Sequence, residues 1–256
     1  MAIHFFRQRS PDLRPRGRVR ILNPNRRIAW VLLLVLSRAA AGFAAQAVVA
    51  HVDFVGAKGR GRAQKPPDTV IWLTPLDKSL AAPPAPGNFV MVQHDKMFSP
   101  HLQVMPVGSS VSFPNKDPFF HNVFSFFNGR RFDLGLYQSG QSRSVVFNRV
   151  GVSYIFCNIH PEMSAVIITL DTPYYGLADE HGDIRIPDVP PGNYSMQVWS
   201  EAISPDAMKT LARHVTVTEN ANTDVGKVTI QIAPGTLSEH LNKFGQPYEK
   251  HTQPAY

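Results

Sequence analysis

Four side chains with metal-binding chemistry fall in two stretches of this sequence. Cys157, His160 and Met163 share Cys157-Asn158-Ile159-His160-Pro161-Glu162-Met163, and His121 lies upstream in Asn115-Lys116-Asp117-Pro118-Phe119-Phe120-His121-Asn122-Val123. A soft thiolate, two imidazoles and a weak axial thioether are the donor set of a mononuclear electron-transfer copper site, in which the His2Cys plane holds the metal and the distant sulfur tunes its potential. Cys157 is the chain's one cysteine. With no partner for a disulfide, it is either a small buried hydrophobe or a metal ligand, and a histidine three positions on favours the ligand.

Such a set works only if the elements carrying it bring the donors to one place. From Phe89 onward, short apolar runs alternate with turn signals: Val90-Met91-Val92, Leu102 to Val107, the Gly108-Ser109-Ser110 turn, Val111-Ser112-Phe113, Val123 to Phe126, Arg143 to Phe147, Val152 to Phe156 and Val166 to Leu170. About seven short strands in roughly 80 residues predict an antiparallel sandwich. Cys157 then ends one strand, the His-Pro turn returns His160 and Met163 toward it, and His121 enters from a separate connection at the same end.

The segment from Phe89 to Asp171 resembles the cupredoxins, and its metal loop is similar in spacing to amicyanin and plastocyanin. The likeness is carried by Met97-Phe98-Ser99-Pro100, Val104-Met105-Pro106-Val107-Gly108, the Asn115-x-Asp117 to His121-Asn122-Val123 block, and Tyr154-Ile155-Phe156-Cys157 to Met163. The resemblance implies one type 1 (blue) copper ion bound strongly by His121, Cys157 and His160, with Met163 as the weak axial ligand. It also makes Asn122 a candidate to tie the two loops and donate toward the cysteine sulfur; the alternative is an ordinary turn asparagine. Phe119 and Phe120 are read either as an apolar docking rim for a weakly bound redox partner or as plain core.

The chain has 256 residues, 43% hydrophobic, with 22 Pro and 17 Gly, which fits a turn-rich, all-β globular protein. Its formal charge of +7 invites a nucleic-acid partner. The location of that charge argues otherwise. Nine of the 26 basic residues and one of the 19 acidic ones precede residue 48, which leaves 17 against 18 and a net charge of −1. Those first 47 residues read as a secretory signal: an arginine-rich start, an apolar run from Ile28 to Leu36 and a small-residue region, with cleavage after Ala47 or Ala44. The run is too short for a bilayer demanding about 20 residues. The expectation is export, to the periplasm or elsewhere outside the cytoplasm, and no stable membrane insertion after cleavage. Arg26-Arg27 leaves the general and twin-arginine routes both open.

Beyond Asp171, further β signals surround an Asp179-Glu180-His181-Gly182-Asp183 turn and Asp188-Val189-Pro190-Pro191-Gly192-Asn193-Tyr194, and strands are predicted at 214–217 and 225–232. These residues resemble the later half of a carboxypeptidase regulatory-like, transthyretin-like sandwich. Half a sandwich leaves an apolar face uncovered, and 48–73 offers the missing strands. The expected organisation is therefore a discontinuous domain of 48–88 and 172–235, a copper domain of 89–171 inserted into it, and a polar tail of 236–256. Two tandem sandwiches are the alternative. His94 and His101 lie near each other without a third donor in sequence, so they stay outside the predicted site.

The function expected is an exported copper protein in electron transfer with periplasmic redox partners. Copper binding or delivery without electron transfer is the alternative. Enzymatic copper chemistry needs an open coordination position, and the sequence offers no second centre for it, so the chain is read as a non-enzyme.

Overall fold

The computed structural model describes residues 46–56, 66–126, 129–219, 221–232 and 241–248. The expected signal segment lies outside the described residues, apart from Gln46 and Ala47. The described chain is all-β, with a single 3-10 turn at Lys78–Leu80 and one short α-helix, α1 (Pro205–Leu211), capped by Ser204, whose hydroxyl accepts from the Ala207 amide.

Ten strands build the first sandwich: β3 (Asn88–Val90), β4 (Val92–His94), β5 (Met97–Ser99), β6 (Leu102–Pro106), β7 (Ser110–Pro114), β8 (His121–Ser125), β9 (Phe132–Tyr137), β10 (Ser142–Val146), β11 (Gly151–Phe156) and β12 (Ser164–Leu170). One sheet runs β6-β12-β11-β8-β9 and the facing one β10-β7-β3, with β4 and β5 pairing as a hairpin. Between them lies a core that includes Phe113, Val123, Tyr137, Phe147, Ile155 and Ile167.

The second sandwich takes strands from both sides of the first in sequence. β1 (Val48–Val55) lies between β14 (Asp183–Ile186) and β17 (Thr223–Gln231), and the facing sheet runs β13 (Tyr175–Leu177), β2 (Thr69–Pro75), β15 (Gly192–Ser200), β16 (Arg213–Val217). Their shared core includes Val48, Val52, Ile71, Leu73, Tyr194 and Ile230. Alternation at period two puts Val48, Ala50 and Val52 on the inner face of β1. Gly182 closes the turn before β14 at φ +87°; a Cβ there would sit 2.5 Å from the Val52 carbonyl oxygen, so no other residue fits.

A third apolar cluster joins the sandwiches. β12 is buried on both faces: Ala165 and Ile167 point into the first core, and Val166, Ile168 and Leu170 meet Val70 and Trp199 of the second sandwich. This explains why 166–170 reads as a nearly unbroken apolar run rather than an alternating one. Trp199 Nε1 donates across the seam to the Tyr154 hydroxyl, 3.3 Å away.

Residues 241–248, expected to belong to a polar tail, lie against the first sandwich. The Lys243 amide donates to Asn158 Oδ1 at 2.9 Å, Lys243 Nζ sits 2.8 Å from Asp133 Oδ2, and the Tyr248 hydroxyl donates to the Cys157 carbonyl at 2.8 Å.

Candidate metal centre

The end of the first sandwich gathers three of the four predicted donors. Cys157 Sγ lies 3.8 Å from His121 Nδ1 and 3.7 Å from His160 Nδ1, and the two ring nitrogens are 3.1 Å apart. Cys157 and His121 are fully buried, and His160 is half-buried. Met163 is also fully buried and shares the apolar cluster of Cys157.

Local backbone chemistry sets this arrangement. His121 is the first residue of β8, and Cys157 directly follows β11, whose last residue Phe156 pairs with Phe124 of β8. The loop after Cys157 is closed on itself: the Met163 amide donates to the His160 carbonyl at 3.1 Å, and the Cys157 amide to the Met163 carbonyl at 3.2 Å. His160 and Met163 are thereby turned back onto the strand end that carries the thiol.

His121 is oriented by a residue whose role the sequence reading missed. Its Nε2 lies 2.7 Å from Asp117 Oδ2, so Nε2–H donates to the carboxylate and the Nδ1 lone pair faces Cys157 and His160. A carboxylate on the far nitrogen of a ligand histidine fixes its tautomer and raises its basicity. Asp117 is itself clamped. The turn between β4 and β5 holds Asp95 and Lys96 at φ +54° and +56°, and their amides donate to the two Asp117 oxygens at 2.7 and 3.0 Å. Burial alone would raise the Asp117 carboxyl, but those amides and the His121 ring outweigh it and hold it below its ordinary value. Asn115 shapes the loop, accepting from the Asp117 amide and donating to the Phe119 carbonyl. The four-residue spacing of Asp117 and His121 was the visible signal for this pairing.

Asn122 donates toward the sulfur through its backbone, and its side chain makes a separate tie. Its side-chain amide donates to Asp133 Oδ1 at 2.7 Å, and it is the backbone N–H that faces the Cys157 sulfur. Burial pushes the Cys157 thiol up; the N–H groups of Asn122, Ile159 and His160 partly offset this. His160 is held below its usual value, first by burial and then by its proximity to His121, which favours the neutral ring that binds metals. The Phe119 ring leans on both imidazoles, with centroids 5.2 Å from His121 and 5.5 Å from His160, while Phe120 and Ile159 are exposed beside it.

These donors fit a single ion. With metal–sulfur about 2.3 Å and metal–nitrogen about 2.0–2.1 Å, a trigonal plane at roughly 120° separates sulfur from nitrogen by about 3.8 Å. Both sulfur–nitrogen separations match that figure, and the shorter nitrogen–nitrogen edge corresponds to an angle of about 100°. His121, Cys157 and His160 thus form a possible ligand group. His94 and His101 do not come together: His94 Nδ1 faces Asp95 at 2.9 Å and His101 Nε2 faces Glu201 at 3.1 Å.

Comparison with known proteins finds partial likenesses. Residues 163–225 match the family model described as polysaccharide lyase family 4, domain II. The expected carboxypeptidase regulatory-like module is not what that match describes. No curated protein sequence matches the chain. Among solved structures, a purple cupredoxin from Nitrosopumilus maritimus is similar at 24% identity over 32% of this chain and 98% of its own, with a TM-score of 0.29. A copper-containing nitrite reductase from Thermus scotoductus is similar at 25% identity, over 38% of this chain and 27% of its own, TM-score 0.31. Amicyanin from Paracoccus versutus is similar at 22% identity, over 38% and 97%, TM-score 0.29.

Proposed function

We propose that this protein is an exported type 1 copper protein that transfers electrons, with His121, Cys157 and His160 as strong ligands and Met163 as the axial thioether. The observation carrying this reading is the convergence of one buried thiol and two Nδ1 atoms at separations that suit a trigonal plane, on a chain with no second cysteine. Bound there, copper would supply a one-electron couple tuned by its axial and outer-shell partners.

The protein's own residues do the remaining work. Asp117 holds His121 in the ligating tautomer, the loop hydrogen bonds fix His160 and Met163 relative to Cys157, and Phe119 screens the imidazole pair from water. A site built before the metal arrives changes little between oxidation states. Phe120 and Ile159 present exposed apolar surface beside half-buried His160, a face suited to brief docking of a periplasmic redox partner. The second sandwich, in this reading a carboxypeptidase regulatory-like support domain discontinuous in sequence, has no assigned chemistry of its own, and the chain is a carrier rather than an enzyme.

The test is reversible redox cycling of the copper-loaded protein. The reading expects mild reductant to bleach its colour, oxidant to restore it, and copper to stay bound to a chelator-challenged sample through both steps. Met163→Leu should keep copper and raise the potential. A protein that binds only Cu(I), stays colourless and gives its metal up to chelator is a delivery protein instead.

A further inference from the structure

Residues 242–248 are built as a closed turn rather than a loose end. The Asn242 side-chain oxygen accepts from the Phe244 and Gln246 amides at 2.9 and 3.0 Å, its carbonyl accepts from the Gly245 amide at 2.9 Å, and its own amide donates to the Gln246 carbonyl at 2.8 Å. Side-chain-to-backbone bonds of this kind fix a turn without the help of a sheet. From that turn Lys243 and, beyond it, Tyr248 reach the thiol-bearing end of the first sandwich.

Their partners belong to the two stretches that supply the candidate ligands. The Lys243 amide and the Tyr248 hydroxyl bond to the Asn158 side chain and the Cys157 carbonyl, consecutive residues where the loop carrying His160 and Met163 begins. Lys243 Nζ bonds to Asp133 Oδ2, while Asp133 Oδ1 accepts from the Asn122 side chain and the Gly135 amide. Asn122 directly follows His121. The segment therefore holds the loop after β11 directly, and the start of β8 through one carboxylate. The Lys243 and Asp133 side chains are only 24% and 29% exposed, so solvent screens their attraction less than that of a surface pair.

Burial shows what this hold controls. Cys157, His121 and Met163 are fully buried, and half-buried His160 is the one of the four that meets solvent. An ion or a reagent reaches the sulfur when the loop swings away from β8, a local opening that folded proteins make at less than the cost of global unfolding. If the loop leaves residues 242–248 behind, the bonds to Asn158 and Cys157 break; if it carries them along, the bond to Asp133 breaks. Opening costs one set or the other.

We propose that residues 242–248 are a lock on the ligand loop, in which Lys243 and Tyr248 set how fast Cys157 becomes accessible and so how fast metal enters and leaves. Both are positioning residues, acting through Asn158, Asp133 and the Cys157 carbonyl. The part concerning metal rests on the copper reading above; the lock itself does not. Its bonds are to the closed loop, so it slows entry and exit alike and leaves the equilibrium affinity nearly unchanged.

The experiment compares the full chain with the same chain carrying Lys243→Met and Tyr248→Phe together. Cys157 is the sole cysteine, so its modification by an aromatic disulfide reagent in the metal-free protein reports opening of this loop. The proposal expects modification at least roughly tenfold faster in the double variant, with far-UV dichroism and the modification rate in denaturant unchanged. Tyr248→Phe alone, which deletes one oxygen, should give roughly a fivefold increase and serves if the double variant folds poorly. With copper, uptake by the metal-free protein and loss to excess chelator should both quicken by the same factor, affinity staying within about twofold. Equal modification rates in the altered and unaltered chains would overturn the lock, as would an affinity that falls by the full factor of the faster release. Faster modification in chains that bind no copper would leave the lock standing and remove the copper reading.

Discussion

Asp117 Oδ2 lies 2.7 Å from His121 Nε2, and neither side chain meets solvent appreciably. The orientation of the His121 ring is therefore decided by a carboxylate that is held in turn by the Asp95 and Lys96 amides. The relay runs from a two-residue hairpin turn, through one acid, to the ring nitrogen that faces Cys157 and His160.

Asp117→Asn should consequently weaken copper binding by about 10–100-fold while preserving the fold, the range found when outer-shell partners of ligand histidines are removed. Competition against a chelator of known strength measures this. Affinity equal to that of the unaltered chain would show that the carboxylate has no part in the site.

The same carboxylate gives a pH signature. Its folded value lies below the ordinary 3.8, so its contribution to stability is complete above that value and is lost as pH falls through the folded one. Denaturant midpoints of the metal-free protein should drop below about pH 4, and the drop should be shallower in Asp117→Asn. Parallel curves for the two would contradict this.

The three close donors were legible in sequence because their order and spacing reflect local geometry: Cys157 directly follows an apolar strand, His160 comes three residues later within one turn, and His121 opens another strand. Strands within 48–75 and beyond 172 were legible from their β-branched and alternating apolar residues. Other features carry no local signal. Glu201 meets His101 only across the seam of the two sandwiches, which no short window of sequence encodes. Asn122 was identified as a tie between loops, but its partner Asp133 and the backbone route to the sulfur depend on where β9 lies. Residues 241–248 are polar and aperiodic, so nothing in them reveals that they lie against the metal loop.

That segment makes its own prediction. Tyr248 donates to the Cys157 carbonyl, and a hydrogen bond of this kind is worth about 1 kcal/mol. Tyr248→Phe should speed hydrogen exchange of the Cys157–Met163 loop amides by roughly fivefold, with exchange in β1 and β17 unaffected. Unchanged loop exchange would mean that the segment rests on the loop without restraining it.

Under the proposed export, the start of the mature chain is also testable. Ala47 is fully buried, its amide donates to Asn222 Oδ1 at 3.0 Å and its carbonyl accepts from the Thr223 amide at 2.9 Å. Cleavage after Ala47 would discard these bonds, whereas cleavage after Ala44 keeps them. Intact mass of the exported protein should correspond to a chain starting at Ala45; one starting at Val48 would contradict this.

The most direct measurement is the visible absorption spectrum of the Cu(II)-loaded protein beside that of Cys157→Ser. The account predicts an intense thiolate-to-copper band in the first and its loss in the second, with the fold intact in both. A Cu(II)-loaded protein without that band, or a band that survives in Cys157→Ser, would contradict the assignment of Cys157 as the ligand at the centre of the site.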